Sequence, residues 1–181
     1  MGIKNILKKD VYRYFGKDSI SKFKYSDELK IVLAYRKANR YSNNKILKYY
    51  YVFKSKKINA KHLCQIPHTT NIGEGLYIGH AVGIIINPMA VIGKNVNIAQ
   101  GVTIGQENRG KRVGTPTIGN KVWIGANAVI VGNIKVGNDV LIAPNSFVNF
   151  DVPEHSIVVG NPGKIIPREN ATEGYINRIV E

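Results

Sequence analysis

The chain has 181 residues, which suits one domain with a small appendage, and its 44% hydrophobic residues are enough to form a core. There is no run of about 18 apolar residues and no long apolar stretch at the N-terminus, which argues against a membrane-spanning helix and a secretory signal. The single cysteine, Cys64, has no partner for an internal disulfide, so we expect a protein of the reducing cytoplasm.

The net charge of +14 is unevenly placed, because the first 60 residues hold 16 Lys and Arg against 4 acidic residues. Such a basic segment favours anions, including phosphates, acidic glycans and an anionic membrane surface. Two alternatives remain open: a solvated helical face that keeps an oligomer soluble, or contact with a polyanionic acceptor or the inner membrane face. No zinc-ligand spacing or RNA-binding signature supports nucleic acid as a partner.

Residues 1–62 predict a helical, strongly basic segment at one end of the fold. A short helix is predicted over 4–15, and a second over 26–41 with Ser26 or Asp27 as its N-cap. A third is predicted over 44–57, with Asn44 as its N-cap. Because a coil of repeats exposes its end layer, we expect these helices to cap the rest of the chain.

A six-residue rhythm then runs through residues 63–166. An aliphatic residue recurs every sixth position, often followed by a small residue, which fits neither a helix nor simple strand alternation. Hexapeptide repeats of this kind predict an all-β parallel β-helix, in which each repeat forms one side of a triangular coil. The aliphatic residue should stack on its equivalent 18 positions later, so Ile124 should lie over Ile142. The small residue should let the chain turn the corner without a Cβ clash.

Two segments depart from the rhythm. Residues 106–116, QENRGKRVGTP, are polar and basic and predict an exposed loop of the kind that often carries function. Residues 167–181 predict a C-terminal extension that follows a short strand.

His80 is the histidine best placed for chemistry. It follows the corner residue Gly79, and the rhythm slips by two positions just after it, so its side chain should project outward. Imidazole titrates near neutral pH, which suits a general base; the alternative is a structural histidine bonded to a backbone carbonyl. His68 and His155 lie in proline-flanked turns, which favours surface or structural roles. The histidine spacing does not fit a three-histidine zinc site, so no metal is predicted.

The run from Ile66 to Ile166 resembles the hexapeptide-repeat acyltransferases of the serine acetyltransferase type. The similarity rests on His80, on the loop after it, and on the motifs VWIGANAVIVGNIKVG, IAPNSFV and DVPEHSIVVGNPGKII. The resemblance implies a left-handed parallel β-helix with an N-terminal α-helical cap, a homotrimer, acetyl-CoA as donor, no metal, and His80 as catalytic base. The left hand is an exception to the usual right-handed crossover.

The same resemblance implies a groove for CoA along the coil edge between two subunits. Ala126 would leave room for the pantetheine arm, and Pro144 occupies the equivalent corner one coil later, although simple corner geometry also explains both. Gln106 stands where the family has glycine, and backbone N–H groups near Gly105 would stabilise the oxyanion. Lys164, in the closing turn, would meet a CoA phosphate.

Some family positions differ in this chain. The family has an aspartate just before the catalytic histidine and another 15 residues before it, where this chain has Gly79 and Gln65. The family's Arg–His pair, which holds the substrate carboxylate, aligns with Gly114 and Thr115. A zwitterionic acceptor needs charged partners, whereas a sugar hydroxyl needs only hydrogen bonds. Gln65 would still accept a bond from the ring N–H of His80.

The sequence therefore predicts an acetyl-CoA-dependent O-acetyltransferase that acts on a sugar hydroxyl of a capsular or lipid-linked saccharide. The enzyme alternative is a serine O-acetyltransferase of cysteine biosynthesis. The non-enzyme alternative is a trimeric β-helix scaffold without catalysis, which the retained His80 and groove residues argue against.

Overall fold

The computed structural model describes residues 2–17, 25–41 and 43–181. Residues 1, 18–24 and 42 lie outside this description, so the predicted cap segment 1–62 is described only in part. The described chain begins with three α-helices and continues into fourteen short β-strands.

The three predicted helices are present. Helix α1 spans Ile3–Phe15, α2 spans Asp27–Arg40 and α3 spans Lys45–Lys61. The side chains of Ser26 and Asn44 accept hydrogen bonds from the backbone N–H groups of Leu29 and Leu47, which satisfies donors that a helix start leaves free. Helix α3 continues past its predicted end at residue 57, because no glycine or proline follows until the chain turns at Leu63, whose φ is 54°.

The strands that follow are two to four residues long and build three faces of a coil. The first face has the order β1-β4-β7-β10, the second β14-β13-β11-β8-β5-β2 and the third β12-β9-β6-β3. Every pair is parallel except β13 with β14. The strands are β1 Asn71–Ile72, β2 Tyr77–Ile78, β3 Ile85–Ile86, β4 Val91–Ile92, β5 Asn97–Ile98, β6 Thr103–Gly105, β7 Thr117–Ile118, β8 Val122–Ile124, β9 Val129–Val131, β10 Lys135–Val136, β11 Val140–Ile142, β12 Phe147–Val148, β13 Ser156–Val159 and β14 Lys164–Pro167.

The register confirms the predicted stacking. Ile142 pairs with Ile124, 18 positions earlier, and both side chains are fully buried. Across the slip, Ile78 pairs with Ile98, which lengthens that coil by two residues. Across the loop, Ile98 pairs with Ile124, 26 positions on, so the loop adds eight residues to one coil without disturbing the core column. The parallel β-helix predicted from the rhythm is therefore present; its left hand stays a prediction.

The corner glycines are required by the close approach of successive coils. A Cβ on Gly73 would lie 2.6 Å from the backbone of Gly93, and one on Gly93 would lie 2.5 Å from the carbonyl oxygen of Gly119. A Cβ on Gly137 would lie 2.4 Å from the backbone of Glu154. The small residue in the repeat therefore prevents a clash with the next coil.

Helices α1 and α2 are fixed to the first coil by a buried ion pair. Asp10 is fully buried, and its carboxylate accepts from Arg36 Nε at 2.8 Å and from the backbone N–H groups of Gly75 and Leu76 at 3.0 and 3.1 Å. Arg36 in turn donates to the carbonyl oxygens of Ile72 and Gly73, both at 2.6 Å. The pair thus connects both helices to the edge of the coil.

We expect Asp10→Ala to lower the free energy of unfolding by about 3–5 kcal/mol, because the change leaves the Arg36 guanidinium buried without its carboxylate. Urea unfolding followed by circular dichroism measures the loss. Glu173→Ala is the matched control, because this exposed carboxylate makes no hydrogen bond or ion pair within the described ranges. Equal stability of the two variants would contradict the assigned role of Asp10.

The chain leaves the repeat after β13. The sequence predicted a short strand followed by an extension at this end of the coil, and here β14 runs antiparallel to β13 and returns as a hairpin. The chain then crosses the second face as a segment of residues 168–181, here named the C-terminal segment. Asp139 holds its start by accepting from the N–H groups of Ala171 and Thr172 and from the Thr172 hydroxyl at 2.6 Å. Further along, the side chain of Asn95 forms two hydrogen bonds with the backbone of Val180.

His155 has the structural role predicted for it. Its Nδ1 lies 2.9 Å from Asp139 Oδ2, and this hydrogen bond raises the pKa of the imidazole above its usual 6.5. The pKa of His68 shifts the other way, because burial and the charges of Lys48 and Lys56 lower it. These opposite shifts predict opposite effects of pH.

We expect His155→Gln to lose thermal stability relative to the parent chain most strongly below pH 6.5, with the difference fading as pH rises through the raised pKa. A raised histidine pKa means that the folded state holds the proton more tightly, so its stabilisation is complete only in acid. His68→Gln should show the reverse slope, gaining relative stability as pH falls below 6.5. Melting temperatures from about pH 5 to about pH 9 test both. Parallel slopes would contradict the assignment.

Helix α3 carries much of the basic excess and also exposes apolar side chains. Ile46, Tyr49 and Phe53 are 83%, 77% and 70% exposed, on the same helix as the exposed Lys54, Lys56 and Lys57. The alternatives set out for the basic segment therefore stay predictions. None of the helices described here is long and apolar enough to cross a membrane.

Candidate active site

The candidate active site lies along one edge of the coil, where the second face turns into the third. Each turn follows a strand of the second face, so equivalent positions stack one coil above another. The turn after β2 carries Gly79 and His80, the turn after β8 carries Ala126, and the turn after β11 carries Pro144.

A cavity of about 290 Å³ runs along this edge. It brings together four predicted site residues, Gly79 and His80 from the first coil, Ala126 from the third and Pro144 from the fourth. The other lining residues are Tyr77, Asn97, Ile98, Ala99, Gln100 and Trp123. This edge of the coil therefore combines the imidazole of His80 with a groove.

His80 is exposed, and its ring makes no hydrogen bond or ion pair to any part of the chain that the structure describes. The turn is held through the backbone, because Val82 N–H donates to the His80 carbonyl at 3.1 Å and Gly83 N–H donates to the His62 carbonyl at 3.2 Å. Gly83 has φ of +66°, which glycine adopts without strain. The alternative of a histidine bonded to a backbone carbonyl is not what this chain adopts.

The groove beside His80 offers a free backbone donor. The carbonyl of Ala126 accepts from Asn145 N–H at 2.8 Å, while the N–H of Ala126 has no partner within residues 2–17, 25–41 and 43–181. At the preceding position, a Cβ on Gly125 would lie 2.6 Å from the Pro144 nitrogen. The turns at Gly125 and Pro144 are thus tightly packed along the coil axis, while their outer side is open. A groove that binds an extended amide chain needs this arrangement.

The loop 106–116 lies at a different edge, where the third face turns into the first. Its arms pair through Glu107 and Gly114, and a short 3₁₀-helix spans Gly110–Arg112. It folds back on the next coil, where Asn133 N–H donates to the Arg112 carbonyl at 2.9 Å. The cavity at His80 contains no residue of this loop.

The loop positions aligned with the family's site are therefore distant from His80 in one chain. Gly105 ends β6 opposite Val131, and the Gln106 side chain donates to Asn108 at 2.6 Å. Thr115 Oγ1 donates to the Met89 carbonyl at 3.1 Å. If these residues act with His80, a second copy of the chain has to supply them.

The two positions where the family has aspartate also differ in placement. Gln65 is exposed and lines a separate cavity of about 900 Å³ beneath α3, and no hydrogen bond joins its side chain to His80 in the described residues. Gly79 lines the His80 cavity, and a Cβ there would meet only Tyr77 Cε1, at 3.9 Å. Lys164 is exposed at the start of β14 and does not line the cavity.

Sequence reasoning missed the wall of the cavity. Tyr77 pairs with Asn97 and Asn97 pairs with Trp123, so these outward-facing side chains form a ladder beside His80. The signal was available, because the same register that stacks the isoleucines also aligns the residue before each of them. Among the described residues, no group of three or more His, Cys, Asp and Glu could hold a metal ion.

Comparison with known proteins identifies the class. Residues 115–149 match the bacterial transferase hexapeptide family of six repeats. The chain is 43% identical over 112 residues to a serine acetyltransferase of Staphylococcus aureus, covering 61% of this chain and 52% of that protein. The match to a serine acetyltransferase of Arabidopsis thaliana covers 31% of that protein. The chain therefore spans about a third to a half of the length of these curated relatives.

Solved structures give the broader match. The serine acetyltransferase of Neisseria gonorrhoeae in complex with serine is 31% identical, with a TM-score of 0.73 and coverage of 91% of this chain and 69% of that one. The enzyme of Brucella abortus is 30% identical, with a TM-score of 0.78 and coverage of 93% and 70%; it has also been solved with coenzyme A. The chain has the repeats and the fold of the hexapeptide-repeat transferases. Within that class, it belongs to the serine acetyltransferase-like family.

Proposed function

We propose that this protein is an acetyl-CoA-dependent O-acetyltransferase in which His80 is the general base. The observation that carries the proposal is the cavity in which an exposed imidazole, without a hydrogen-bond partner among the described residues, lies beside the free backbone N–H of Ala126. The coenzyme A complex of the Brucella abortus relative supports acetyl-CoA as donor. A scaffold without catalysis would have no use for this arrangement.

The chemistry needs one proton carrier. Neutral His80 takes the proton from the acceptor hydroxyl as its oxygen attacks the thioester carbonyl carbon, and the resulting oxyanion is held by backbone N–H groups. When the carbon–sulfur bond breaks, the CoA thiolate takes the proton back from the imidazolium. The acetyl ester leaves, and His80 is again neutral for the next cycle.

We infer that the active unit is a homotrimer of left-handed coils, with its site between two copies. The separation of His80 from Gly105, Gln106 and Thr115 within one chain supports this, because only a neighbour can bring that loop to the histidine. The family resemblance supports the left hand and the threefold assembly. The cytoplasmic location expected from the single cysteine suits this enzyme. An active monomer of about 20.1 kDa by light scattering would contradict the assembly.

The comparisons favour L-serine as acceptor, which corrects the order of the sequence prediction. The sugar hydroxyl was placed first there and serine was the alternative, but the relatives are serine acetyltransferases, one of them solved with serine. We therefore propose L-serine as the first acceptor. A saccharide hydroxyl stays the second candidate, because Gly79, Gln65, Gly114 and Thr115 replace the charged residues that the family uses.

Thiol release from acetyl-CoA tests the choice, with L-serine and separately with nucleotide-linked and lipid-linked sugars. We expect turnover with L-serine. Thiol release with a saccharide but not with L-serine would make the saccharide hydroxyl the acceptor. If the protein binds CoA but releases no thiol with L-serine or with any of the sugars, the proposed activity is contradicted. Gly79→Asp sharpens the test, because the site has room for a Cβ and the carboxylate should raise kcat/KM for L-serine but not for a neutral sugar.

A further inference from the structure

A second cavity adjoins the His80 cavity and is lined by two arginines. Its volume is about 290 Å³, and it lies between α1, the second face and the C-terminal segment. Tyr77 and Asn97 line both cavities, so the two cavities adjoin at these side chains. The remaining lining residues are Arg13, Tyr175, Asn177 and Arg178, and no carboxylate is among them.

Arg13 is a buried guanidinium, 3% exposed, that forms no ion pair with any described residue. Its Nε donates to the Gly75 carbonyl at 3.0 Å and its Nη2 to Asn97 Oδ1, whereas Nη1 has no partner in the described chain. Asp10, the buried carboxylate of the same helix, is already paired with Arg36. Burying a positive charge without a counterion destabilises the folded state, and a bound anion would remove this penalty.

The neighbouring charges make the cavity more positive. Burial lowers the pKa of Arg13 to about 10; the charge of Arg178 contributes to this fall, and Tyr14, Tyr77 and Asp10 oppose it. The guanidinium is therefore still protonated at neutral pH. Arg178 donates to the Tyr14 carbonyl and makes no ion pair in the described part of the chain. The two side chains come from positions 165 residues apart, brought together by the C-terminal segment. Guanidinium groups suit carboxylate and phosphate oxygens, which they bind in pairs.

The position of the cavity indicates which substrate it serves. It lies at the first two coils, beneath α1, whereas Ala126 and Pro144 extend the groove toward later coils. A donor bound along that groove reaches His80 from the far side, which leaves the arginine side for the acceptor. Tyr77 and Asn97, which line both cavities, then lie beside the acceptor between its reacting hydroxyl and its charged end.

We propose that this cavity, with Arg13 and Arg178, binds the anionic group of the acceptor, a carboxylate or phosphate, while its hydroxyl is presented to His80. The inference rests on the proposed acetyltransferase function and names the acceptor class more closely: a hydroxyl compound that carries a negative charge. In this chain the two arginines would take over the binding of the acceptor's carboxylate from the Arg–His pair of the family's loop. L-serine meets this requirement through its carboxylate, and a saccharide meets it only if it is acidic or phosphorylated.

Inorganic sulfate is the probe, used with CoA at saturation so that the donor site is already filled. We expect sulfate to raise the melting temperature of the parent chain in a saturable way. Arg178→Gln should need about tenfold more sulfate for the same rise, because it loses a charged hydrogen-bond donor. Arg168→Gln is the matched control, since it removes the same charge from an exposed position in the same segment. Arg13→Lys keeps the positive charge but loses the paired N–H donors of the guanidinium, so it should weaken sulfate binding as well.

Turnover gives an independent measurement. Arg178→Gln should raise the KM of the acceptor about tenfold and leave the KM of acetyl-CoA unchanged. Sulfate curves that coincide for the parent chain, Arg178→Gln and Arg168→Gln would overturn the proposal, and so would a sulfate effect that disappears when CoA is bound. Because the sulfate curves need no turnover, failure of the anion site remains distinguishable from failure of the proposed activity.

Discussion

His80→Ala should lower kcat by about 10²–10⁴, the usual contribution of a general base. The imidazole is exposed and makes no hydrogen bond or ion pair in the described chain, so its removal should leave the coil intact and remove only the proton carrier. Stopped assays of thiol release, at saturating acetyl-CoA and acceptor, measure the loss. CoA affinity by calorimetry should stay near that of the parent chain.

His68→Ala is the control for this variant. His68 is a second histidine of the first coil, in a turn outside the His80 cavity, so its loss should leave kcat unchanged. An unchanged rate in His80→Ala would contradict the assignment of the base.

Ala126→Trp should abolish CoA binding while leaving the fold intact. Ala126 lines a cavity of about 290 Å³, and an indole there would fill the groove between the corners of successive coils. The backbone N–H of the residue would also be covered, which removes a donor for an extended amide chain. Because the side chain points away from the core, the buried isoleucine columns should be unaffected.

Calorimetry with CoA measures this effect, and circular dichroism confirms that the coil is folded. Arg40→Trp is the control, since it places the same indole at the exposed end of α2, outside the cavity. Parent-like CoA affinity in Ala126→Trp would count against the groove. Loss of affinity in both variants would point to a general effect of an added indole.

Much of the architecture followed from local pattern. A six-residue period dictates its own stacking, so the pairing of Ile124 with Ile142 could be predicted, as could the caps at Ser26 and Asn44. The slip after His80 was visible for the same reason, because an extra pair of residues shifts every later repeat. The hand of the coil has no such signature in spacing.

The charged parts of the molecule were not predictable in this way. Arg13 lies on α1 and Arg178 in the C-terminal segment, and no periodicity relates them. Their approach depends on where the chain goes after β14, which turns back along β13. The Asp10–Arg36 pair likewise depends on how two helices meet the coil. Site residues supplied by long-range contacts therefore appeared only in the structure.

The C-terminal segment changes how a repeat protein of this kind should unfold. In a simple solenoid each coil contacts only its neighbours, so unfolding can begin at one end and spread. Here Asp139 on the fourth coil, Asn97 on the second and Lys9 on α1 all bind the same segment, which ends at Glu181 beside α1. Separating any one coil therefore disrupts contacts distant in sequence. We expect a single cooperative transition and slow folding, as for proteins of high contact order.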